Sequence, residues 1–280
     1  MTFAQKLAIR YFRTRINLLV QVAPQSAARL ALKLFSTPFR KPKKHIPALF
    51  QQAEQLSFPL EGITIRGYRW NHPRPHKVLL IHGFESSARN FDRYVTPLLD
   101  KNYEVIAFDA PAHGTSGGTQ INLPQYIRTL QQIYQLYGPI QSFMAHSFGG
   151  LALAHFLETI PHDTRTRVAL IAPATETTSA IDGFFTLLGI DPKVRPPFDQ
   201  LIFNIAGVRP AHFSIRRAMQ HIQAQVLWFH DEQDDMTPLA DALKVRDDHH
   251  PHLSFVITQG LGHRAIYRDN QVMKRVIEFL

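Results

Sequence analysis

The sequence predicts an α/β protein whose mostly parallel sheet carries helices on both faces. The first observation is a set of short, continuous apolar runs, which is typical of strands buried on both faces of a parallel sheet. These runs are KVLLIHG (77–83), YEVIAFD (103–109), IQSFMAH (140–146), RVALIAP (167–173), AQVLWFH (224–230) and LSFVITQG (253–260). The second observation is that helical patterns fall between most of these runs, which favours a layered α/β architecture.

Two helical patterns come first along the chain. Residues 3–22 have helical periodicity, and a second helix is predicted from about Gln25 to Phe35, entered through Pro24 and ended before Pro38. The segment TPFRKPKKHIP (37–47) is too rich in proline and charge for a regular element. We expect it to be a linker that wraps onto the main domain.

The remaining elements follow from residue 62 onward. ITIRGYRW (63–70) alternates with period two, as a half-exposed strand does, and QYIRTLQQIYQLYG (125–138) is a helical pattern. Residues 175–224 are too long for a simple connection and are rich in phenylalanine, which predicts a short helical lid. The predicted organisation is therefore a helical extension at 1–45 and an α/β domain at 46–280 that contains this lid.

The net charge of +9 belongs to the N-terminal segment. Residues 1–45 contain ten Lys and Arg and no acidic residue, so the rest of the chain is close to neutral. The first helix has two faces, one with Lys6, Arg10 and Arg13 and the other with Phe12, Ile16 and Leu19. Such a helix either docks on the protein itself or a second subunit, or lies on an anionic membrane surface. Amphipathicity alone does not distinguish these alternatives.

Composition excludes several classes of function. The sequence contains no cysteine, so a disulfide framework, thiolate metal ligands and a cysteine nucleophile are all excluded. No zinc-finger, RNP-like or P-loop spacing accompanies the basic segment, so we expect no nucleic-acid partner. Arg10, Arg13 and Arg15 interrupt the apolar residues near the start, which argues against a signal peptide, and no run of about 18 apolar residues is present. We expect a cytoplasmic protein, with peripheral contact to an anionic membrane through residues 1–45 as the open alternative.

A serine stands where a buried strand turns sharply into a helix. In FMAHSFGGLALAHFL (143–157), Ser147 follows an apolar run, and two glycines precede a helical pattern. Small neighbours permit the strained backbone of such a turn, which holds the hydroxyl out above the sheet. The usual pattern is Gly-x-Ser-x-Gly, and here Ala145 takes the first position and Gly149 the last. The sequence therefore makes Ser147 a candidate nucleophile.

A serine hydroxyl is a poor nucleophile unless a base and an orienting carboxylate assist it. Asp234 follows the strand in WFHDEQDDMTP and can reach a histidine ring from that position. His263 lies in TQGLGHRAIYRD, in a loop after the last apolar strand. The neighbouring acids of Asp234 are rivals for the same role, and they are Asp231, Glu232 and Asp235.

From about residue 62 to the C-terminus the sequence resembles the α/β-hydrolase superfamily. The order Ser147, Asp234, His263 is the order in which that fold carries its triad. LLIHGFESS resembles the superfamily's His-Gly oxyanion segment, which implies that the backbone N–H groups of Phe84 and Phe148 form the oxyanion hole. The resemblance implies a serine hydrolase of the α/β-hydrolase fold.

A second motif supports the resemblance. FDAPAHGTSGG is similar to the superfamily's Asp-x-x-Gly-His-Gly-x-Ser turn, here with Asp109, His113, Gly114 and Ser116. The resemblance implies a structural role for these residues in shaping the loop. His82 and His146 adjoin the expected site, and we expect them to hold loops by hydrogen bonds.

The implied reaction is cleavage of a small-molecule carboxylic ester or thioester through an acyl-enzyme, with no cofactor and no metal. The aromatic insertion favours apolar acyl chains. Three triad-dependent alternatives remain open, namely an acyltransferase, a C–C bond hydrolase and a cofactor-free haloperoxidase. A further alternative is a non-catalytic, hydrolase-like protein that binds through its basic helices.

Overall fold

The structure is a computed structural model that describes residues 3–39 and 46–280, with side chains from residue 7 onward. Most of the linker predicted at 37–47 therefore lies outside the described residues. The chain divides into two compact units. Unit 1 combines the N-terminal segment up to Thr37 with Glu176–Phe213, and unit 2 combines Pro38–Thr175 with Ser214–Leu280.

Unit 2 is built on an eight-stranded sheet in the described part of the chain. The strands are β1 Glu54–Leu60, β2 Ile63–Trp70, β3 Lys77–Ile81, β4 Glu104–Phe108, β5 Ser142–His146, β6 Arg167–Ile171, β7 Gln225–Asp231 and β8 Leu253–Thr258. Their order in the sheet is β1-β2-β4-β3-β5-β6-β7-β8. The first two strands pair antiparallel and β2 pairs antiparallel with β4, whereas all other neighbours are parallel.

The α-helices of the described residues connect and flank these strands. In chain order they are α1 Phe3–Val22, α2 Pro24–Ser36, α3 Ala48–Gln51, α4 Asp92–Asp100, α5 Leu123–Tyr137, α6 Phe148–Leu157, α7 Thr177–Leu188, α8 Arg195–Ala206, α9 Ile215–Ala218, α10 Leu239–Asp247, α11 Gly262–Ala265 and α12 Asn270–Phe279. The predicted α/β fold class with a mostly parallel sheet is confirmed.

The apolar runs of the sequence became the central strands because both of their faces are covered. Every residue of β4 and β5 is buried, as is all of β3 except its first residue. Parallel strands of this kind bring their carboxyl ends to one edge of the sheet, and β5, β6 and β7 are neighbours. Side chains that follow these strands are therefore expected close together.

Unit 1 has its own core, to which both chain segments contribute. Ile16 of α1, Ala28 of α2, and Phe185 and Phe198 of the insertion are buried in one apolar cluster. Phe35 adds an edge-to-face contact to Phe198, with ring centroids 5.8 Å apart. Residues of the predicted extension and of the predicted insertion thus share a single core.

Polar contacts also join the two segments of unit 1. Arg13 Nε donates to the carbonyl of Leu188 at 2.7 Å, and Asn17 Nδ2 donates to the carbonyl of Gly189 at 2.9 Å. The N–H of Asp191 donates to Asn17 Oδ1 at 2.9 Å. Side chains of α1 therefore donate hydrogen bonds to carbonyl groups at the C-terminus of α7. These carbonyls have no partner within their own helix. No helix of the described residues is long and apolar enough to cross a membrane.

Candidate active site

Ser147 lies between β5 and α6 with φ 55° and ψ −126°. A positive φ costs a non-glycine residue on the order of 1–3 kcal/mol and persists only where the surroundings enforce it. The N–H of Ser147 donates to the carbonyl of Ile171 at 3.2 Å, and its carbonyl accepts from the N–H groups of Gly150 at 2.9 Å and Ala174 at 3.1 Å. These backbone hydrogen bonds fix the strained turn that the sequence predicts.

Gly149 permits this turn, because a Cβ there would lie 2.5 Å from the carbonyl oxygen of His82 and 2.8 Å from that of Ile81. A Gly149→Ala variant is expected to lose about 1–3 kcal/mol of stability, since backbone atoms cannot easily move away. Thermal unfolding measures the loss as a lower Tm. Gly183→Ala is the matched control, because a Cβ in that part of α7 meets nothing within 4 Å and should stabilise the helix by about 0.5–1 kcal/mol. An unchanged Tm for Gly149→Ala would contradict the packing argument.

The structure brings together the three side chains selected from the sequence. His263 Nε2 lies 2.9 Å from Ser147 Oγ, and His263 Nδ1 lies 2.8 Å from Asp234 Oδ2. An ionised carboxylate only accepts hydrogen bonds, so Nδ1–H donates to Asp234 and leaves Nε2 free to accept the Ser147 O–H. Ser147 and His263 are 9% and 5% exposed. The arrangement places a buried imidazole nitrogen within hydrogen-bond distance of the Ser147 hydroxyl.

Asp234 is the acid that reaches His263. Burial opposes its ionisation, but hydrogen bonding to His263 and the N–H groups of Thr237 (2.8 Å) and Met236 (2.9 Å) outweigh burial and lower the pKa of Asp234. The rivals Glu232 and Asp235 are exposed. Asp234 is therefore a carboxylate at neutral pH, in the protonation state that can orient a histidine.

Thr237 and His230 also contact this group, and the sequence analysis did not select them. Thr237 Oγ1 lies 2.8 Å from Asp234 Oδ2 and 3.1 Å from His263 Nδ1. Trp228 Nε1 donates to His230 Nδ1 at 3.3 Å, so His230 carries its proton on Nε2 and donates it to the Thr237 carbonyl at 2.8 Å. Burial lowers the pKa of His230 and keeps the ring neutral. A carboxylate with a threonine three residues on, as in DDMT, is the sequence signal for the first of these contacts.

Asp231 holds the loop that carries His263. Its carboxylate accepts from the N–H groups of Gly262 at 2.9 Å and Leu261 at 3.1 Å, and from Thr258 Oγ1 at 2.7 Å. These hydrogen bonds outweigh the opposing effect of burial and lower the pKa of Asp231. Asp231, the last residue of β7, thus anchors the loop and does not reach the imidazole ring.

An Asp231→Asn variant is expected to lose about 1–3 kcal/mol of stability at pH 7, because an amide cannot accept all of these hydrogen bonds. A lowered folded-state pKa means that the stabilisation is fully present above the unfolded pKa of about 3.9 and is lost as the pH falls through the folded value. The difference in the free energy of unfolding between wild type and Asp231→Asn should therefore become smaller below about pH 4. Urea unfolding at several pH values from 7 to 3 measures this difference. Asp235→Asn is the control, because Asp235 is exposed. A difference that stays constant with pH would contradict the assignment.

His146 fixes His263 from another side. Its Nε2 lies 3.0 Å from the carbonyl of His263, and the two rings are 4.8 Å apart between centroids. Burial, together with the nearby charge that His263 carries when protonated, lowers the pKa of His146 to about 3. His146 is therefore neutral and donates from Nε2, which is the loop-holding role expected from the sequence.

The segment after β3, which was predicted to supply an oxyanion-hole N–H, is held by neutral histidines. The N–H of Glu85, which has φ 53°, donates to His113 Nε2 at 3.0 Å, while His113 Nδ1 donates to the carbonyl of Pro111 at 2.8 Å. His82 donates from Nδ1 to the Gly83 carbonyl at 2.8 Å and accepts from the Ala110 N–H at 2.9 Å. Burial lowers the pKa of His82 and of His113 to about 4.

Asp109 ties the second motif to the same segment. Its carboxylate accepts from the N–H groups of Ala88 at 2.9 Å and Thr115 at 2.8 Å, and Ser116 Oγ donates to its carbonyl at 2.6 Å. A Cβ on Gly114 would lie 2.1 Å from the Asp109 carboxylate, so only glycine fits there. Asp109, His113, Gly114 and Ser116 shape the loop, as the resemblance implies.

Phe84 and Phe148 lie close to each other. Phe148 is the first residue of α6, where a helix N–H has no acceptor within the helix. Phe84 lies in the loop after β3, and its ring centroid is 6.2 Å from that of Phe148. The two residues whose N–H groups were predicted to form an oxyanion hole are thus neighbours beside Ser147.

The sheet and the similarity to solved structures define the fold: the chain has the α/β-hydrolase fold. Residues 72–198 match the family model for serine aminopeptidase, S33. Serine hydrolase-like protein 2 from Homo sapiens is 27% identical over 182 residues, which cover 63% of this chain and 55% of that protein. Serine hydrolase-like protein from Homo sapiens is 29% identical over 132 residues, which cover 45% of this chain and 63% of that protein. The chain thus covers less than two thirds of the length of these relatives.

Among solved structures, an esterase from Pyrococcus furiosus superposes with a TM-score of 0.66 at 18% identity. The superposition covers 88% of this chain and 97% of the esterase. At this identity the similarity shows a shared fold. Function is therefore inferred from the geometry of the site residues in this chain.

Proposed function

We propose that the protein is a serine hydrolase that cleaves carboxylic esters or thioesters through an acyl-enzyme intermediate. The observation that carries the proposal is the continuous path of hydrogen bonds from Ser147 through His263 to Asp234, with distances of 2.9 and 2.8 Å. A serine with only a structural role in the turn would not need a buried imidazole within hydrogen-bond distance of its hydroxyl. The names of the relatives, which include a serine hydrolase-like protein and an esterase, support the same class.

In the first half of the reaction Ser147 Oγ attacks the carbonyl carbon of the substrate. His263 Nε2 takes the hydroxyl proton, and the ionised Asp234 stabilises the imidazolium through Nδ1. The carbonyl oxygen gains negative charge, and the N–H groups of Phe84 and Phe148 are the proposed donors to it. The intermediate then collapses, and the leaving alkoxide or thiolate takes the proton from Nε2.

In the second half a water molecule attacks the acyl group on Ser147. His263 removes a proton from this water and returns it to Ser147 Oγ when the second tetrahedral intermediate collapses. The products are a carboxylic acid and the regenerated hydroxyl. All proton transfers use one nitrogen atom, which is why the tautomer fixed by Asp234 is central to the proposal.

Some phenylalanines of the insertion are core residues of unit 1. Phe185 and Phe198 are buried in the core of unit 1, so their rings serve packing. The preference for apolar acyl chains and the lid role of the insertion stay predictions. An ester series of increasing chain length tests the first of them directly.

The proposal is tested by labelling with a fluorophosphonate, which reacts with activated serines. Wild type should label and Ser147→Ala should not, while the exposed Ser57→Ala control should label like wild type. Turnover of acyl esters and thioesters, measured with and without alcohol acceptors, then separates hydrolysis from acyl transfer. A folded wild type that neither labels nor turns over any acyl substrate would contradict the proposal.

A further inference from the structure

Helix α1 has a second apolar face, which the core of unit 1 does not use. Ile16 and Val20 are buried in that core. At 100° per residue, four other apolar residues fall within an arc of about 60° on the opposite side. We call them the apolar stripe, and they are Leu7, Tyr11, Leu18 and Val22.

The apolar stripe is open to solvent. Leu7 is 59% exposed, Tyr11 56%, Leu18 68% and Val22 83%. From the first to the last of these residues the helix rises about 22 Å at 1.5 Å per residue. Single exposed apolar residues are ordinary, but a continuous row along one helix marks a contact surface.

The charges beside the stripe indicate what it contacts. Arg10 and Arg15 lie on either side of the apolar stripe, at about −60° and +80° around the helix axis from Leu7. Both are exposed. Residues 1–37 contain six Lys and Arg and no Asp or Glu. An apolar strip bordered by arginines matches an anionic lipid surface, whose phosphates lie just outside the apolar region.

A second copy of the chain fits this surface poorly. A two-fold contact places the same patch on both partners, so Arg10 and Arg15 of each copy would face a surface equally rich in cations. Residues 1–37 offer no carboxylate to neutralise them. The charge pattern therefore favours an anionic occupant.

We propose that the apolar stripe with Arg10 and Arg15 is a membrane-binding surface specific for anionic bilayers. The helix lies in the plane of the headgroups, with Leu18 and Val22 inserted between lipids and the arginines on phosphates. Contacts within unit 1 already hold α1 as a helix, so binding incurs no cost of folding it. This surface does not depend on the proposed chemistry at Ser147.

The test is co-sedimentation of the full chain with phosphatidylcholine vesicles, with and without phosphatidylglycerol, at low and high salt. Wild type should bind only the anionic vesicles, and salt should weaken the binding. Leu18→Ser with Val22→Ser should lower the partition coefficient at least tenfold. Arg10→Gln with Arg15→Gln should lower it about thirtyfold, from about 1 kcal/mol per cationic side chain near the surface.

The matched control is Leu136→Ser with Arg74→Gln, which removes one exposed leucine and one exposed arginine from unit 2 and should leave binding unchanged. Circular dichroism melts should be alike for all variants, because every changed side chain is exposed. Sedimentation velocity without lipid tests for a second copy. A dimer that Leu18→Ser and Val22→Ser dissociate would overturn the proposal, as would equal binding to both vesicle types, no vesicle binding, or wild-type binding by the stripe variant.

Discussion

Ser147→Ala and His263→Ala are each expected to lower kcat for ester hydrolysis by about 10⁵- to 10⁶-fold. His263 Nε2 lies 2.9 Å from Ser147 Oγ, within hydrogen-bond distance of the hydroxyl that it is proposed to deprotonate. In the proposed mechanism neither residue acts without the other. The double variant should therefore be no slower than the slower single variant, whereas independent contributions would multiply.

The measurement is kcat from steady-state hydrolysis of an activated ester by each purified variant. His221→Ala is the control, because this exposed histidine lies outside the site. It should retain wild-type activity. Multiplicative losses in the double variant, or turnover by Ser147→Ala close to that of wild type, would show that the two side chains do not act as a unit.

Asp234→Asn is expected to lower kcat by about 10⁴-fold with little change in KM. The reason is the tautomer, because an asparagine that presents its NH₂ to His263 Nδ1 stabilises the form in which Nε2 carries the proton. That form cannot accept the Ser147 proton. Thr237 also lies 2.8 Å from Asp234 Oδ2, so the altered hydrogen bonds extend to a second side chain.

The neighbouring acids supply the controls for this experiment. Asp235→Asn and Glu232→Gln change exposed side chains and should keep kcat within a few fold of wild type. Steady-state kinetics on all three variants decides the assignment. If Asp235→Asn or Glu232→Gln caused the larger loss, Asp234 would not be the orienting carboxylate.

Most of the sheet could be predicted because parallel strands buried on both faces appear as apolar runs. The edge strand β1 (EQLSFPL) is the exception, and the sequence analysis missed it. Its register pairs Pro59 with Thr64 of β2. Proline normally argues against a strand and is tolerated at an edge, so this strand is recognisable only once the sheet order is known.

Within the site, chain order was enough to choose Ser147 and His263, but the choice of acid depends on atomic geometry. Asp231 ends β7, Asp234 lies three residues further on, and both have lowered pKa values. One accepts the N–H groups of the Gly262 loop and the other reaches the imidazole. His230 was not predicted, because its contacts depend on where Trp228 and Thr237 lie in space.

Unit 1 was the least predictable part of the molecule. Its helices were expected from periodicity, but periodicity does not show which partner an apolar face meets. The hydrogen bond from Arg13 to Leu188 joins residues 175 positions apart. Hydrophobic periodicity reports on neighbouring turns of one helix. A contact between residues 175 positions apart depends on the whole fold.

Because α1 and the insertion are far apart in the sequence, α1 is synthesised well before its partners in the core of unit 1. A ribosome adding 5–20 residues per second makes the insertion roughly 10–35 s after α1, from the 175 positions that separate their contact. Ile16 and Ala28 have no partner from the insertion during that interval. We therefore expect this apolar face of the nascent N-terminal helices to stay uncovered until Phe185 and Phe198 emerge. Deleting the insertion would permanently uncover that face, so a chain shortened there is expected to aggregate.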